Sequence, residues 1–281
     1  MQPNKDTVHN FIKLLESKYS SEQSYQDYLE QNTSLFYPPF ELNHSIHFNL
    51  LISKFRLDTS LTADFAYLTK SSAVWWLVLV EIEHPDKRLF RNNGVPSSDL
   101  TAAISQVNDW RSFVERNESE VHRKIAPLKK PLERNKIKYR YALVIGRTKE
   151  FEGSQKKLDA LESLQKDDFK ILTYDSFISA YNSRLKHPLD VVSQKGQKFS
   201  FKYSHRKDTS VFSWLSPNEI HLSTESTAYY KSLGYDIDQW KDGELLAVNR
   251  RKTNDHAIAV IGAAINPSRK SIAKRSKEGG A

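Results

Sequence analysis

The feature that most limits the possible folds is a nine-residue run, VWWLVLVEI at positions 74–82, in which Glu81 is the only charged residue. The run is far shorter than the roughly 20 apolar residues that a membrane helix needs. Pro85 follows three residues later and stops regular structure. Such a run is typical of a central β-strand that is covered on both faces. We therefore expect a sheet with packed layers on either side.

The segments around this run alternate between helix and strand patterns. The order of these patterns is α-β-β-β-α-β-α-β, which predicts a mixed α/β sheet flanked by helices, with a three-strand meander at its centre. The predicted helices occupy parts of 1–36 and the segments 98–115, 154–165 and 174–185; the predicted strands are 45–57, 62–69, 74–82, 139–146 and 169–173.

The chain divides into four parts on composition and pattern. An N-terminal helix (1–20) precedes the main α/β domain (21–187), and a polar stretch with Pro188 marks the boundary. An additional C-terminal region (190–265) carries a strand pattern at 199–203 and a helix pattern around 224–232, without indicating a fold. The last part (266–281) is polar and basic and is expected to be a disordered tail.

Composition excludes several classes of protein. The chain has no Cys, which rules out disulfides, Cys-zinc sites and thiol nucleophiles. It has no G-x-x-x-x-G-K-[ST] loop and no H-E-x-x-H motif, so neither a nucleotide cofactor nor a zincin site is expected. The N-terminus lacks an export signal, and we expect a cytoplasmic protein without a membrane anchor. The net charge of +8 favours a polyanionic partner.

Three carboxylates are candidates for a metal site. Glu81 and Glu83 end the apolar run two residues apart, so their side chains are expected on one face of the sheet. Asp64 lies within the preceding strand, which the meander would place alongside. Oxygen ligands in this arrangement suit Mg²⁺ or Mn²⁺, which can activate water for phosphodiester hydrolysis. The alternative is that the three acids are ordinary surface residues where strands emerge into solvent.

Gln106 adds an amide to these acids. In the helix at 98–115 it shares one stripe with Ala103, Trp110 and Phe113, the side expected to meet the sheet. A buried amide needs hydrogen-bond partners, and a carboxylate, a metal-bound water or a phosphate at the sheet end would serve. A bond to backbone groups at the rim is the alternative.

The segment 123–140 (RKIAPLKKPLERNKIKYR) is rich in Lys and Arg and contains a single acid. A phosphate backbone would be its natural partner and would make binding strongly salt-dependent. The candidates for DNA binding are Lys124, Lys129, Lys130, Arg134 and Lys136. A solvated, charged loop is the alternative, and the basic tail is open to the same two interpretations.

Six segments together resemble the nuclease domain of Shedu anti-phage defence proteins, within the PD-(D/E)xK nuclease superfamily. They are YLEQNTSLF (28–36), TADF (62–65), VEIEHP (80–85), AISQVNDW (103–110), ALVIGR (142–147) and ILTYDSF (171–177). The resemblance spans roughly residues 20–185. It implies a restriction-endonuclease-like αβββαβ core, double-stranded DNA as substrate, a homo-oligomer and a role in antiviral defence.

Residue by residue, the resemblance implies that Asp64 and Glu81 hold the metal. Gln106 and Trp110 would stand at the glutamine and aromatic positions of the helix motif. Glu83 departs from the pattern, because the family usually has a Lys at this position to orient or activate water. Glu83 would instead act as a base or bind a second metal ion.

Four further residues are possible members of the site. Lys70 or Lys87 would supply the missing ammonium, if they are not plain surface lysines. Glu30 matches a first-helix acid that faces the metal in many such nucleases, with an exposed helix Glu as the alternative. His84 would touch a phosphate, although a strand-end His is the favoured interpretation.

The main hypothesis is therefore a metal-dependent DNA endonuclease acting in anti-phage defence. The first alternative is a catalytically impaired protein of the same fold that binds DNA or a partner without cleaving. The second is an assembly protein in which the acids only stabilise the sheet.

Overall fold

The computed structural model describes residues 5–183 and 187–247. The apolar run 257–265 and the tail 266–281 lie outside the described residues. Among the described residues, the helices are α1 (Lys5–Glu16), α2 (Glu22–Gln31), α3 (Ser98–Arg116), α4 (Glu118–Ile125), α5 (Gln155–Leu164), α6 (Tyr174–Ser183), α7 (Thr224–Ser232) and α8 (Ile237–Lys241). The strands are β1 (Leu50–Arg56), β2 (Thr62–Lys70), β3 (Val74–Ile82), β4 (Lys136–Val144), β5 (Phe169–Leu172), β6 (Asp190–Lys195), β7 (Lys198–Tyr203) and β8 (Ile220–His221).

The eight strands of the described residues form one mixed sheet in the order β5-β4-β3-β2-β1-β6-β7-β8. The antiparallel meander β1-β2-β3 lies at its centre, as the sequence predicts. Strand β4 runs parallel to β3, and β5 runs parallel to β4. The predicted mixed α/β sheet flanked by helices is confirmed.

The apolar run forms β3, which is buried on both faces of the sheet. Leu77 and Leu79 pack into a larger core that also holds the apolar stripes of α3 and α4. Val78 and Val80 pack into a smaller core on the opposite face, against α1, α2 and α6. This alternation accounts for the nearly continuous apolar sequence, since each face of β3 meets a packed layer.

The C-terminal region continues the same sheet across the predicted boundary. Strand β6 pairs in parallel with β1, and the predicted strand at 199–203 and helix at 224–232 are confirmed as β7 and α7. The buried carboxylate of Asp190, the first residue of β6, links this strand to the segment after β7 and to α7. It accepts hydrogen bonds from the backbone N–H groups of His205 (2.7 Å) and Arg206 (2.9 Å) and from the Tyr230 hydroxyl (2.7 Å).

Two segments differ from the sequence predictions. The predicted strand 45–57 begins only at Leu50, because His47–Asn49 form a 3₁₀ turn in which the two successive residues Phe48 and Asn49 have positive φ angles of 55° and 53°. The basic segment 123–140 is not a loop throughout. Its first residues complete α4, which buries Val121 and Ile125, and its last residues form β4.

In the part of the chain that the structure describes, no helix has both the length and the apolar composition needed to span a membrane.

Candidate active site

Three charged residues stand side by side on neighbouring strands of the meander. The register that pairs Ser53 with Phe65 places Lys54 of β1 opposite Asp64 of β2. The register that pairs Phe65 with Val80 places Asp64 opposite Glu81 of β3. Residues directly opposite each other share a face of the sheet, here the face on which α3 packs. The meander therefore brings Asp64 and Glu81 together, as predicted, and adds Lys54.

The carboxylate of Asp64 is held at both oxygens. Its Oδ1 accepts a hydrogen bond from Lys54 Nζ at 2.5 Å, and its Oδ2 accepts one from the backbone N–H of Ile82 at 3.0 Å. The Asp64 side chain is 13% exposed. This carboxylate is therefore oriented by its neighbours yet remains accessible from the cleft.

The carboxylate of Glu81 is only half satisfied. Its Oε1 accepts a hydrogen bond from Gln106 Nε2 at 2.6 Å, whereas its buried Oε2 has no hydrogen-bond partner among the described residues. Burial, and then the nearby charges of Asp64 and Glu83, raise the pKa of Glu81 from its usual 4.5 to about 9. A buried carboxylate with one orphaned oxygen is a position where a cation would be strongly stabilising.

Gln106 lies on α3 as the helical stripe predicts, between the buried residues Ala103 and Trp110. Its hydrogen-bond partner is the carboxylate of Glu81, one of the three kinds of partner expected from the sequence. Ser97 begins the helix by accepting a hydrogen bond from the N–H of Leu100 at 3.0 Å, which sets the register that points Gln106 at Glu81.

These side chains line an open cleft of about 520 Å³ at the end of the meander. Its charged lining residues are Glu22, Lys54, Arg56, Asp64 and Glu81, joined by Gln26, Thr62 and Gln106. The cleft thus combines three acids, Glu22, Asp64 and Glu81, with the two cations Lys54 and Arg56. This arrangement suits an anionic ligand that shares a divalent cation with the acids.

Glu83 does not join Asp64 and Glu81. Strand β3 ends at Ile82, so strand alternation no longer sets the direction of the Glu83 side chain. Its Oε2 contacts the ammonium of Lys87, which also donates to Glu22 at 2.9 Å. Burial raises the pKa of Glu83. Among residues 5–183 and 187–247, no group of three or more His, Asp or Glu side chains is arranged to hold a metal ion.

Lys54 is one of the cleft residues that the sequence does not indicate; Glu22, Gln26, Arg56 and Thr62 are the others. Lys54 lies in the segment 45–57, whose pattern indicates only an alternating strand. Its backbone has a left-handed φ of 49°, and this break in alternation lets both Ile52 and Phe55 pack into the larger core. A charged residue at the solvent end of a strand is too common to indicate a site. Only the register of β1 against β2 shows which acid it meets.

Glu30 is neither exposed nor in the cleft. It is fully buried, and its Oε1 accepts hydrogen bonds from Ser53 Oγ at 2.5 Å and Gln26 Nε2 at 3.0 Å. Its Oε2 pairs with Lys202 Nζ of β7 at 2.5 Å. Gln26 also donates to the backbone carbonyl of Asp64 at 3.3 Å. Glu30 therefore connects the C-terminal region to the strand that carries Asp64.

We expect Glu30→Gln to lower the free energy of unfolding by about 2 kcal/mol, because it removes one charge of a buried pair. This value is below the usual loss for a buried pair, since the Lys202 side chain is 37% exposed and is screened by water. Urea denaturation measures the change, with the exposed Glu152→Gln as the matched control. A loss no larger than that of the control would contradict the structural role.

The remaining possible site residues lie elsewhere. Trp110 is fully buried in the larger core. Lys70 lies at the far end of β2, opposite Trp75 of β3. It is six residues from Asp64, which corresponds to about 20 Å along the strand. His84 donates from Nε2 to the carbonyl of Ser20 at 2.9 Å and accepts at Nδ1 from the N–H of Asp86, so both its nitrogens bind backbone groups. None of the three lines the cleft.

Three lysines of the basic segment have protein partners. Lys124 donates to the backbone carbonyls of Arg56 and Leu57 and pairs with Glu120. Lys129 is buried and donates to two carbonyls of its own turn. Lys130 pairs with Glu219 at 2.7 Å. Their ammonium groups hold the fold together, which limits their use in binding DNA.

Arg134 and Lys136 are exposed, but Arg134 lies in the turn before β4 and Lys136 is the first residue of this strand. Lys136 pairs with Val74, whereas Leu143 pairs with Glu81, so seven residues of strand separate Lys136 from the level of Glu81. This corresponds to about 23 Å. The expectation that the basic segment lies beside the cleft does not hold for these two residues.

A comparison with known families adds one finding to this geometry. The family described as Shedu protein SduA, C-terminal, matches residues 19–178, more than half of the chain. The match runs from before α2 into α6 and therefore includes Lys54, Asp64, Glu81 and Gln106. No curated protein gives a significant match.

Proposed function

We propose that this chain, which belongs to the family of the Shedu protein SduA, is a metal-dependent DNA endonuclease. Membership in the family implies a role in defence against phage. The observation that carries the nuclease proposal is the pairing of Asp64 with the half-satisfied, buried Glu81 in an open cleft that also presents cations. Two acids on adjacent central strands are otherwise costly to desolvate.

The order of elements around the cleft supports a restriction-endonuclease-like core. Helix α2 precedes the meander β1-β2-β3, and α3 and β4 follow it, which is the αβββαβ order of the PD-(D/E)xK superfamily. The acid of TADF lies on β2 and the first acid of VEIEHP lies on β3, where that superfamily carries its metal ligands.

The donor set fits a hard divalent cation. Asp64 and Glu81 supply carboxylate oxygens, and Mg²⁺ typically binds through one or two carboxylates while keeping waters or substrate oxygens. The buried Oε2 of Glu81 has no hydrogen-bond partner among the described residues, so it is an oxygen that a cation could contact. When bound, Mg²⁺ or Mn²⁺ supplies polarisation of a phosphoryl oxygen and a lowered pKa of a water nucleophile.

The residues of the chain position the substrate around these acids. Gln106 holds Glu81 Oε1 through its amide and so fixes the carboxylate against α3. Lys54 and the exposed Arg56 present cations along β1, where they would contact the non-bridging oxygens of a phosphodiester. Preorganised cations of this kind stabilise charge that develops at phosphorus.

Supercoiled plasmid incubated with the full chain tests the proposal. We expect nicking and linearisation with Mg²⁺ or Mn²⁺, none with EDTA, and none with Asp64→Asn, which keeps the shape of the side chain but weakens it as a ligand. Asp86→Asn, a change at an exposed acid outside the cleft, is the control and should cleave like the unmodified chain. Cleavage that persists in Asp64→Asn would overturn the proposed site.

We predict that Lys54→Ala lowers the cleavage rate at saturating metal by at least about tenfold, because removing one charged donor from a phosphoryl-transfer site usually costs this much or more. Lys54→Arg should retain more activity than Lys54→Ala, since it keeps the charge. Lys70→Ala is the matched control, because Lys70 lies at the other end of β2. Equal rates for Lys54→Ala and Lys70→Ala would exclude Lys54 from the reaction.

One observation favours a second candidate, a protein of the same fold that binds DNA without cleaving it. Glu83 stands where the superfamily has Lys, and its carboxylate is neutralised by Lys87 rather than turned to the cleft. Salt-dependent DNA binding with no cleavage under any divalent metal would support this candidate and exclude the first.

A further inference from the structure

Four cations gather on one corner of the sheet, far from the cleft. Lys136, Lys138 and Arg140 alternate along the first half of β4, so they share one face, and Lys170 of β5 lies on the same face. We call these four residues the basic sheet corner. Glu81 pairs with Leu143, so these two residues share one face of the sheet. Residues 136, 138 and 140 are an odd number of positions from Leu143, so the basic sheet corner lies on the opposite face.

The cations of this corner are not paired directly with the acids that the structure describes, although Glu115, Glu118 and Asp168 line a cavity together with Lys138 and Arg140. Within residues 5–183 and 187–247, none of the four forms an ion pair, in contrast to Lys124 and Lys130 of the same basic segment. Lys136, Lys138 and Lys170 are exposed and Arg140 is half-buried. Like charges on one surface repel each other, so the corner has a positive potential that a polyanion would relieve.

Two aromatic rings pack against cations of the corner and hold them in position. The guanidinium of Arg140 lies 4.4 Å from the ring centroid of Trp76, and Lys170 Nζ lies 4.8 Å from that of Phe40. The two rings meet edge to face at 6.3 Å. Stacking on a ring restricts the cations to the surface without neutralising their charge. The cations are therefore held in place and can still bind an anion.

The edge of the sheet is open at the same place. Strand β5 pairs only with residues 141–144 of β4, and among the described residues no strand lies beside 136–140 on that side. A second molecule can therefore approach the row of cations from the face and from the edge. Alternate residues of a strand are about 6.6 Å apart, so the row offers evenly spaced charges.

We propose that the basic sheet corner is a second DNA-binding surface, which holds the phosphate backbone of a duplex segment other than the one in the cleft. The identity of the polyanion rests on the proposed function, whereas the charge and geometry of the surface do not. Lys138 lies about 16 Å along the strands from the level of Glu81 and on the other face, so one straight duplex segment does not reach both. The surface adds affinity without touching the reacting phosphate.

Binding of a fluorescent 40-base-pair duplex by the full chain in EDTA tests the surface. We expect the double variant Lys136→Glu/Lys138→Glu to bind at least tenfold more weakly at moderate salt. The slope of log K against log salt should become shallower by about 2, one unit for each phosphate that is no longer bound. The control Lys149→Glu/Lys195→Glu makes the same change in net charge at exposed lysines elsewhere and should bind like the unmodified chain.

Folding of each variant is checked by thermal unfolding, and Lys136→Gln/Lys138→Gln replaces the charge-reversed form if that form does not fold. Equal affinity of the corner and control variants would overturn the proposal. So would a change in oligomeric mass with unchanged DNA affinity, which would make the corner an interface between copies of the chain. DNA binding is measured without metal, so it does not depend on cleavage. A chain that binds DNA through the corner but never cleaves it would contradict the nuclease proposal and leave the DNA-binding surface supported.

Discussion

Glu81→Gln should lower the rate of metal-dependent plasmid cleavage by about 100-fold or more while the protein stays folded. Even the outer-shell partners of a metal ligand typically contribute 10- to 100-fold, so loss of a ligand charge should cost at least about this much. The Gln amide keeps the shape of the side chain and can still bond Gln106. Initial cleavage rates at a series of Mg²⁺ concentrations measure the effect.

Glu83→Gln provides the matched comparison, because Glu81 and Glu83 lie two residues apart at the same end of β3. Glu83 contacts Lys87 instead of sharing the cleft with Asp64, so we expect it to retain activity within about tenfold of the unmodified chain. An equally deep loss in Glu83→Gln would place both glutamates at the metal. Full activity in Glu81→Gln would remove Glu81 from the site altogether.

The metal-free protein should lose stability with rising pH because of Glu81. The pKa of Glu81 is raised by burial from 4.5 in the unfolded chain to about 9 in the folded one. Below pH 4.5 both states hold the proton and the contribution is fully present. Above it the unfolded state releases the proton that the folded state retains, so this contribution falls until the folded pKa is reached.

The difference between the unmodified chain and Glu81→Gln isolates this contribution. Between pH 5 and 9 we expect the unmodified chain to lose on the order of several kcal/mol of unfolding free energy relative to Glu81→Gln. Urea denaturation in EDTA at a series of pH values measures both curves, and titrating groups that do not interact with Glu81 cancel in the difference. Parallel curves would show that the Glu81 carboxylate is not held in a charge-disfavouring environment.

Addition of Mg²⁺ at pH 8 extends the same measurement. A cation that binds only the folded state raises the free energy of unfolding. The increase is largest when the cation binds carboxylates whose charge has no other partner. Asp64 and Glu81 would both contribute, so either substitution should reduce the gain. A gain of equal size in Glu81→Gln would place the metal elsewhere.

The acids and the amide of the cleft could be predicted because each follows from a local rule. The apolar run 74–82 is typical of a strand covered on both faces, and short connections make β1, β2 and β3 an antiparallel meander. Asp64 and Glu81 then fall on adjacent strands, and the stripe of α3 that holds Gln106 meets the same face. These rules depend on residues close in sequence.

The basic segment could not be predicted in this way, because charge alone does not reveal a partner. Lys124 bonds the end of β1, and Lys130 bonds Glu219, 89 residues away in the chain. Lys136 and Lys138 carry the same charge and lie a few residues further on, yet no acid among the described residues pairs with them. The pairing of Lys130 therefore depends on the folding of the C-terminal region against the sheet, whereas that of Lys124 depends on the end of β1 and on Glu120.

By itself, the sequence determined the mixed sheet, the meander at its centre, and the meeting of Asp64, Glu81 and Gln106, since all of these follow from period and spacing. Only the tertiary structure decided the charges around them. It placed Lys54 against Asp64, turned Glu83 to Lys87 where the strand ends, and buried Glu30 beneath Lys202. Ion pairing depends on a few ångströms between distant residues, and no periodic pattern in a sequence records that distance.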